Sequence, residues 1–137
     1  MRAVLDPNVL ISALISRDGR PARVLRAWLD GAFELTVSDQ LLAELERALS
    51  YPKLRKRVES SEAIELVELL RRSARMVDDP NTPPSVPSAD PGDDYLIALA
   101  ESQQAMIVSG DGHLLGLADR VPVLSPADFL VELDRRP

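Results

Sequence analysis

Cysteine is absent from the 137 residues, which excludes a disulfide framework, a thiolate nucleophile and a zinc–thiolate site. Histidine occurs once, at His113, so a histidine-rich metal site is excluded as well. Aromatic residues make up only 4% of the chain, and the core must therefore be built from Leu, Val, Ile and Ala. No apolar run approaches the roughly 20 residues of a membrane helix, and the N-terminus does not read as a signal peptide. A cytoplasmic protein without membrane association is the expectation. Basic residues are outnumbered, 16 against 22, for a net charge of −6. That balance argues against a generic nucleic-acid coat, which would be basic.

A hydrophobic content of 45% with 28% charged residues is that of a globular chain. The length suits one domain over residues 1–137. Short apolar strands alternate with helices. Ala3–Leu5, Phe33–Val37, Ala105–Val108 and Val121–Leu124 read as strands, and Arg75–Val77 as a brief one. Helices are expected near 7–14, 22–30, 39–50, 54–58, 63–73, 94–103, 113–118 and 126–135. Several carry start or stop signals: Asp6 before Pro7, Ser38, Ser125 before Pro126, and Gly31 at an end. Residues 78–92 hold five prolines and read as an extended surface connection. Strand–helix alternation implies right-handed crossovers, hence a parallel sheet with helices on both faces.

Four acids stand out against this frame. Asp6 follows the first strand, and Asp111 follows the strand Met106–Val108 through Ser109-Gly110. In open α/β sheets, ligands bind beyond the carboxyl ends of strands. Glu44 shares the i, i+3, i+7 row of Leu41 and Ala48, at the inner margin of an apolar helix face. Asp93 is in phase with Leu96, Ile97 and Ala100, whereas Asp94 is expected to face outward. Each has a structural explanation too. Asp6 and Asp111 can cap helices, Asp93 can complete a capping box with Asp90, and Arg47 can neutralise Glu44. Carboxylates gathered at strand ends, with almost no nitrogen or sulfur ligands, point to a hard divalent cation, Mg²⁺ or Mn²⁺.

In their order and spacing these residues resemble the PIN domain. The segments are Val4-Leu5-Asp6-Pro7-Asn8, the helix with Glu44, Asp93-Asp94-Tyr95-Leu96-Ile97-Ala98-Leu99-Ala100 and Ile107-Val108-Ser109-Gly110-Asp111. The end, Val123-Leu124-Ser125-Pro126-Ala127-Asp128-Phe129-Leu130, is similar to the VapC-like branch of toxin–antitoxin ribonucleases. The resemblance implies an α/β/α sandwich and a metal-dependent endoribonuclease whose acidic quartet is Asp6, Glu44, Asp93 and Asp111. Asn8 and Ser109 match polar places that orient a ligand or water. His113 falls where this branch often carries an acid. The resemblance also implies an RNA substrate, a cognate antitoxin and a homodimer.

Basic residues are bunched, and Arg17, Arg20, Arg23 and Arg26 form the candidate surface for an RNA backbone. Two other functions compete. A phosphatase of the haloacid-dehalogenase type also starts with an aspartate after the first strand, but Asn8 occupies the place of its second acid. A non-catalytic metal- or protein-binding module of the same fold would bind without cleaving.

Overall fold

The computed structural model describes residues 1–136. Five strands form the central sheet: β1 (Arg2–Leu5), β2 (Glu34–Val37), β3 (Arg75–Met76), β4 (Met106–Val108) and β5 (Val123–Leu124). Their order is β3-β2-β1-β4-β5 and every pairing is parallel. Eight α-helices are present among the described residues. They are α1 (Pro7–Ile15), α2 (Arg20–Leu29), α3 (Asp39–Leu49), α4 (Pro52–Arg55), α5 (Ser60–Ser73), α6 (Asp94–Gln103), α7 (Gly112–Leu115) and α8 (Pro126–Asp134). The architecture is the three-layer α/β/α sandwich expected from the alternation.

Packing assigns the layers. Helix α1 lies against α2 and α3, α2 against α8, and α3 against α5, while α6 packs on β1 and β4. The chain moves from β1 through β2 to β3 in one direction, then crosses back to β4. Right-handed crossovers therefore put α6 on the face opposite α1 to α3. Leu5, Leu35 and Ile107 from the strands meet Leu41, Leu42 and Leu45 of α3 and Leu96, Ile97 and Leu99 of α6 in one core. The two phenylalanines are placed together: Phe33 and Phe129 meet edge to face, centroids 5.0 Å apart.

Most element boundaries follow local chemistry. Ser38 accepts from the Leu41 N–H and Ser125 from the Asp128 N–H, so both cap as expected. Gly31 ends α2 with φ of +83°, a left-handed turn that glycine takes without strain. Several expectations shift: α2 starts at Arg20 rather than Ala22, α4 ends at Arg55 rather than Val58, and β5 starts at Val123 rather than Val121. Helix α4 starts at Pro52 rather than Leu54, because proline is favoured in a first turn. Helix α5 starts three residues early, at Ser60, where Ser60, Ser61 and Glu62 offer no apolar period to read. Helix α7 closes at Leu115, before the expected end at Ala118. The proline-rich segment is irregular, as expected, but tethered: the Ser85 N–H donates to Glu101 at 2.8 Å and the Ser88 N–H to Asp94 at 2.7 Å. Asp94 thus turns to this segment instead of facing outward. No helix among the described residues is long and apolar enough to cross a membrane.

Candidate functional site

Strand order reverses between β1 and β4. The chain leaves β1 for β2 on one side, and β4 lies on the other. The carboxyl ends of two such strands flank the crevice where open α/β sheets bind ligands. The register Leu5↔Val108 is extended one step by the Asp6 N–H, which donates to the Val108 carbonyl at 3.0 Å. Asp6 and Ser109 are thereby set side by side. The Ser109 hydroxyl, fully buried, donates to Asp6 Oδ2 at 2.8 Å and accepts from the Asp111 N–H at 3.0 Å. It ties together the two acids that follow the two strands.

Both acids are also helix caps. Asp6 Oδ1 accepts from the Asn8 N–H at 3.0 Å, and Asp111 Oδ1 from the His113 N–H at 2.9 Å. Capping and ligand binding do not compete outright, since each carboxylate oxygen has two lone pairs. Burial pushes the Asp6 carboxyl above its ordinary range. The hydrogen bonds from Asn8 and Ser109 oppose that rise, and the Asp111 charge adds to it.

Asp93 is relieved of capping. It closes a 3₁₀ turn, Pro91–Asp93, whose cap is Asp90: Asp90 Oδ1 accepts from the Gly92 N–H at 2.9 Å. The Asp93 side chain makes no cap bond to α6. Its pKa is pushed up to about 7 by burial first, then by the bond to Asp111 and by the charges of Asp6, Asp111 and Asp90.

Glu44 stands at the margin. It is half-buried on α3, as its helical phase predicts, and it pairs with Arg47 one turn on. Its charge, with those of Asp6, Asp93 and Asp79, acts on the hydroxyl of Tyr95. Burial is the larger cause that holds this hydroxyl far above its ordinary range. The structure thus joins Asp6 to Asp111 through Ser109, with Asp93 feeling both their charges, while Glu44 is engaged by Arg47. Among the described residues, no three acidic or histidine side chains are gathered closely enough to hold an ion as they stand. The donor chemistry nevertheless fits a hard cation. All donors are oxygens, and the crowding that protonates Asp93 is what a divalent ion would relieve.

The remaining candidates are dispersed. Asn8 serves Asp6 through its backbone, and its exposed side chain borders a cleft of about 410 Å³ with Ser12, Pro21, Gly110 and Asp111. His113 is exposed and contributes only its N–H. Arg20, Arg23 and Arg26 are exposed along α2, whose Pro21 borders the same cleft. Arg17 is drawn toward Glu62, 4.0 Å away, and Arg26 donates to the Arg17 carbonyl at 2.8 Å. A larger cavity, about 500 Å³, lies between α3 and α5 and is lined by none of the four acids. Sequence reasoning missed Tyr95 and Asp79. Tyr95 carried a faint signal, two residues after Asp93. Asp79 lies in the aperiodic proline-rich segment and reaches back to the Gln40 N–H at 3.0 Å, a contact no local pattern encodes.

Fold and acidic residues together define a parallel α/β/α protein with a carboxylate cluster at its topological switch point. A sequence model of the PIN domain matches residues 2–113, and the chain belongs to that family. An uncharacterized protein of Methanocaldococcus jannaschii is 28% identical over 145 aligned positions, covering 98% of this chain and 93% of that protein. Among solved structures, a PilT N-terminus domain protein of Sulfolobus solfataricus P2 covers 100% of this chain and 97% of its own, with a TM-score of 0.57 at 13% identity. VapBC2 from Rickettsia felis, bound to a DNA fragment from their promoter, gives a TM-score of 0.61 at 15% identity. FitAcB from Neisseria gonorrhoeae gives 0.57 at 21%. Each of these two covers 91% of this chain and 98% of its own. These structural likenesses are likenesses of fold.

Proposed function

We propose that this protein is a divalent-metal-dependent endoribonuclease acting as the toxin of a toxin–antitoxin pair. The observation that carries the reading is the Ser109 hydroxyl joining Asp6 to Asp111 beyond the ends of β1 and β4, with burial and the charges of both raising the Asp93 pKa to about 7. Family membership supports nuclease chemistry, and the resemblance to the VapC-like branch supports the toxin role. A cognate antitoxin, a homodimer and a cytoplasmic location belong to the same reading.

Asp6, Asp93 and Asp111 would hold Mg²⁺ or Mn²⁺, with Glu44 joining them. When bound, such an ion activates water and stabilises charge on a phosphodiester undergoing in-line displacement. The chain's own residues prepare that site. Ser109 orients Asp6 and Asp111 with one hydroxyl, and Asp90 frees Asp93 from capping. A cation held there would oppose the crowding that raises the Asp93 carboxyl. The arginines of α2 would carry the RNA backbone.

Cleavage of a mixed RNA pool with Mn²⁺ tests the reading, beside an Asp93→Asn variant shown to be folded. Wild type should cleave, and the variant should lose at least about 10²-fold in rate, the scale of a removed electrostatic contributor. Undiminished cleavage by the variant would sink the assignment. The engagement of Glu44 by Arg47 favours a second reading, a binding module without catalysis. Saturable Mn²⁺ binding with no cleavage of any RNA would select it.

A further inference from the structure

Of the four acids, only Glu44 has a cationic partner among the described residues, and it is the one left at the margin of the group. That partner, Arg47, is held from two sides. Nη2 donates to Glu44 Oε2, Nη1 donates to the Tyr51 hydroxyl at 2.6 Å, and the guanidinium lies 5.9 Å from the centre of the Tyr51 ring. The Arg47 side chain is 60% exposed, against 35% for Glu44. Helix α3, which carries both Arg47 and Glu44, packs against α1, the helix that Asp6 caps.

A guanidinium binds a phosphodiester and a carboxylate with the same two-pronged geometry. An exposed i, i+3 ion pair is weak, so a phosphate can displace Glu44 readily. Tyr51 meanwhile keeps the guanidinium oriented. We infer that Arg47 is a substrate-binding residue that exchanges partners. Without RNA it occupies the Glu44 carboxylate; a backbone phosphate of the bound strand then takes that place and releases Glu44 toward the cation. The inference rests on the nuclease reading and adds to it the order in which the site is completed.

The exchange makes two predictions of opposite sign for Arg47→Gln. Calorimetric titration of Mn²⁺ without RNA should show affinity about two- to fivefold tighter than wild type, because Glu44 is free. The gain should vanish when Glu44→Gln is combined with Arg47→Gln. Binding of a single-stranded RNA 20-mer in EDTA should weaken about five- to tenfold, with a salt slope shallower by roughly 0.7. Loss of a positive charge alone would tighten Mn²⁺ binding in the Glu44→Gln background as well, whereas the exchange predicts no gain there. Unchanged or weaker Mn²⁺ binding in Arg47→Gln, or unchanged RNA binding, overturns the exchange even if wild type binds Mn²⁺. Absence of Mn²⁺ binding in wild type removes the nuclease reading itself.

Discussion

Asp93 holds its proton because burial and three neighbouring carboxyl groups all oppose its charge. Its folded pKa of about 7 lies above the ordinary 3.8. Between those values the folded protein keeps a proton that the unfolded chain has released. Stability from this residue is therefore present at low pH, declines as pH rises through that window, and is flat above it. The metal-free protein should melt at a lower temperature at pH 7.5 than at pH 5, and Asp93→Asn should flatten the trend. Asp6, shifted in the same direction, will leave a residual slope in the variant. Identical slopes in both proteins would exclude the raised pKa of Asp93. Asp6 and Asp111 were legible because position after a strand and capping are local properties. The engagement of Glu44 was legible in part, since Arg47 stands three residues on. The freedom of Asp93 was not, because it depends on Asp90 taking the cap of a separate 3₁₀ turn.

The elements that present these residues are short and depend on packing. Helix α8 has nine residues, too few to persist alone in water. It docks on β5 and α2 and inserts Phe129, fully buried, against Phe33. Phe129→Ala should cost about 3–5 kcal/mol, the usual penalty for emptying an aromatic site. Urea melts check this, and a loss below about 1 kcal/mol would show that the region collapses to fill the gap. Helix starts were legible at Asp6, Ser38 and Ser125, where a cap signalled them, but not at Pro21 or Pro52. The start of α5 was missed because its first turn carries no apolar period, and the anchoring of residues 85–88 because its partners lie on α6.

On the proposed reading, an acidic molecule that handles RNA must concentrate its positive charge. The net charge of −6 repels a polyanion at long range, and only a local patch can reverse that. Helix α2 supplies one candidate beside the cleft, with Arg20 and Arg23 exposed and Arg26 and Arg17 partly engaged with other groups. Replacing Arg20 and Arg23 by Gln should weaken RNA binding across sequences and reduce the salt slope by roughly 0.7 per arginine. An unchanged slope would direct the strand to another surface, such as the lysine and arginine run at residues 53–57.

Periodicity, caps and composition were enough to determine the α/β class, most helix starts and the hard, oxygen-only character of the candidate ligands. All of these depend on residues within a turn or two of one another. Which acids meet was decided elsewhere. The bond from Ser109 to Asp6 joins residues 103 apart, and it exists because β4 pairs with β1 in one register. Strand order and register arise from how the whole core closes. A one-residue slip would turn every side chain of a strand to the other face, and no local pattern encodes that choice. Tertiary structure therefore decided that Asp6 and Asp111 meet through Ser109 and that their charges reach Asp93, while Glu44 pairs with Arg47.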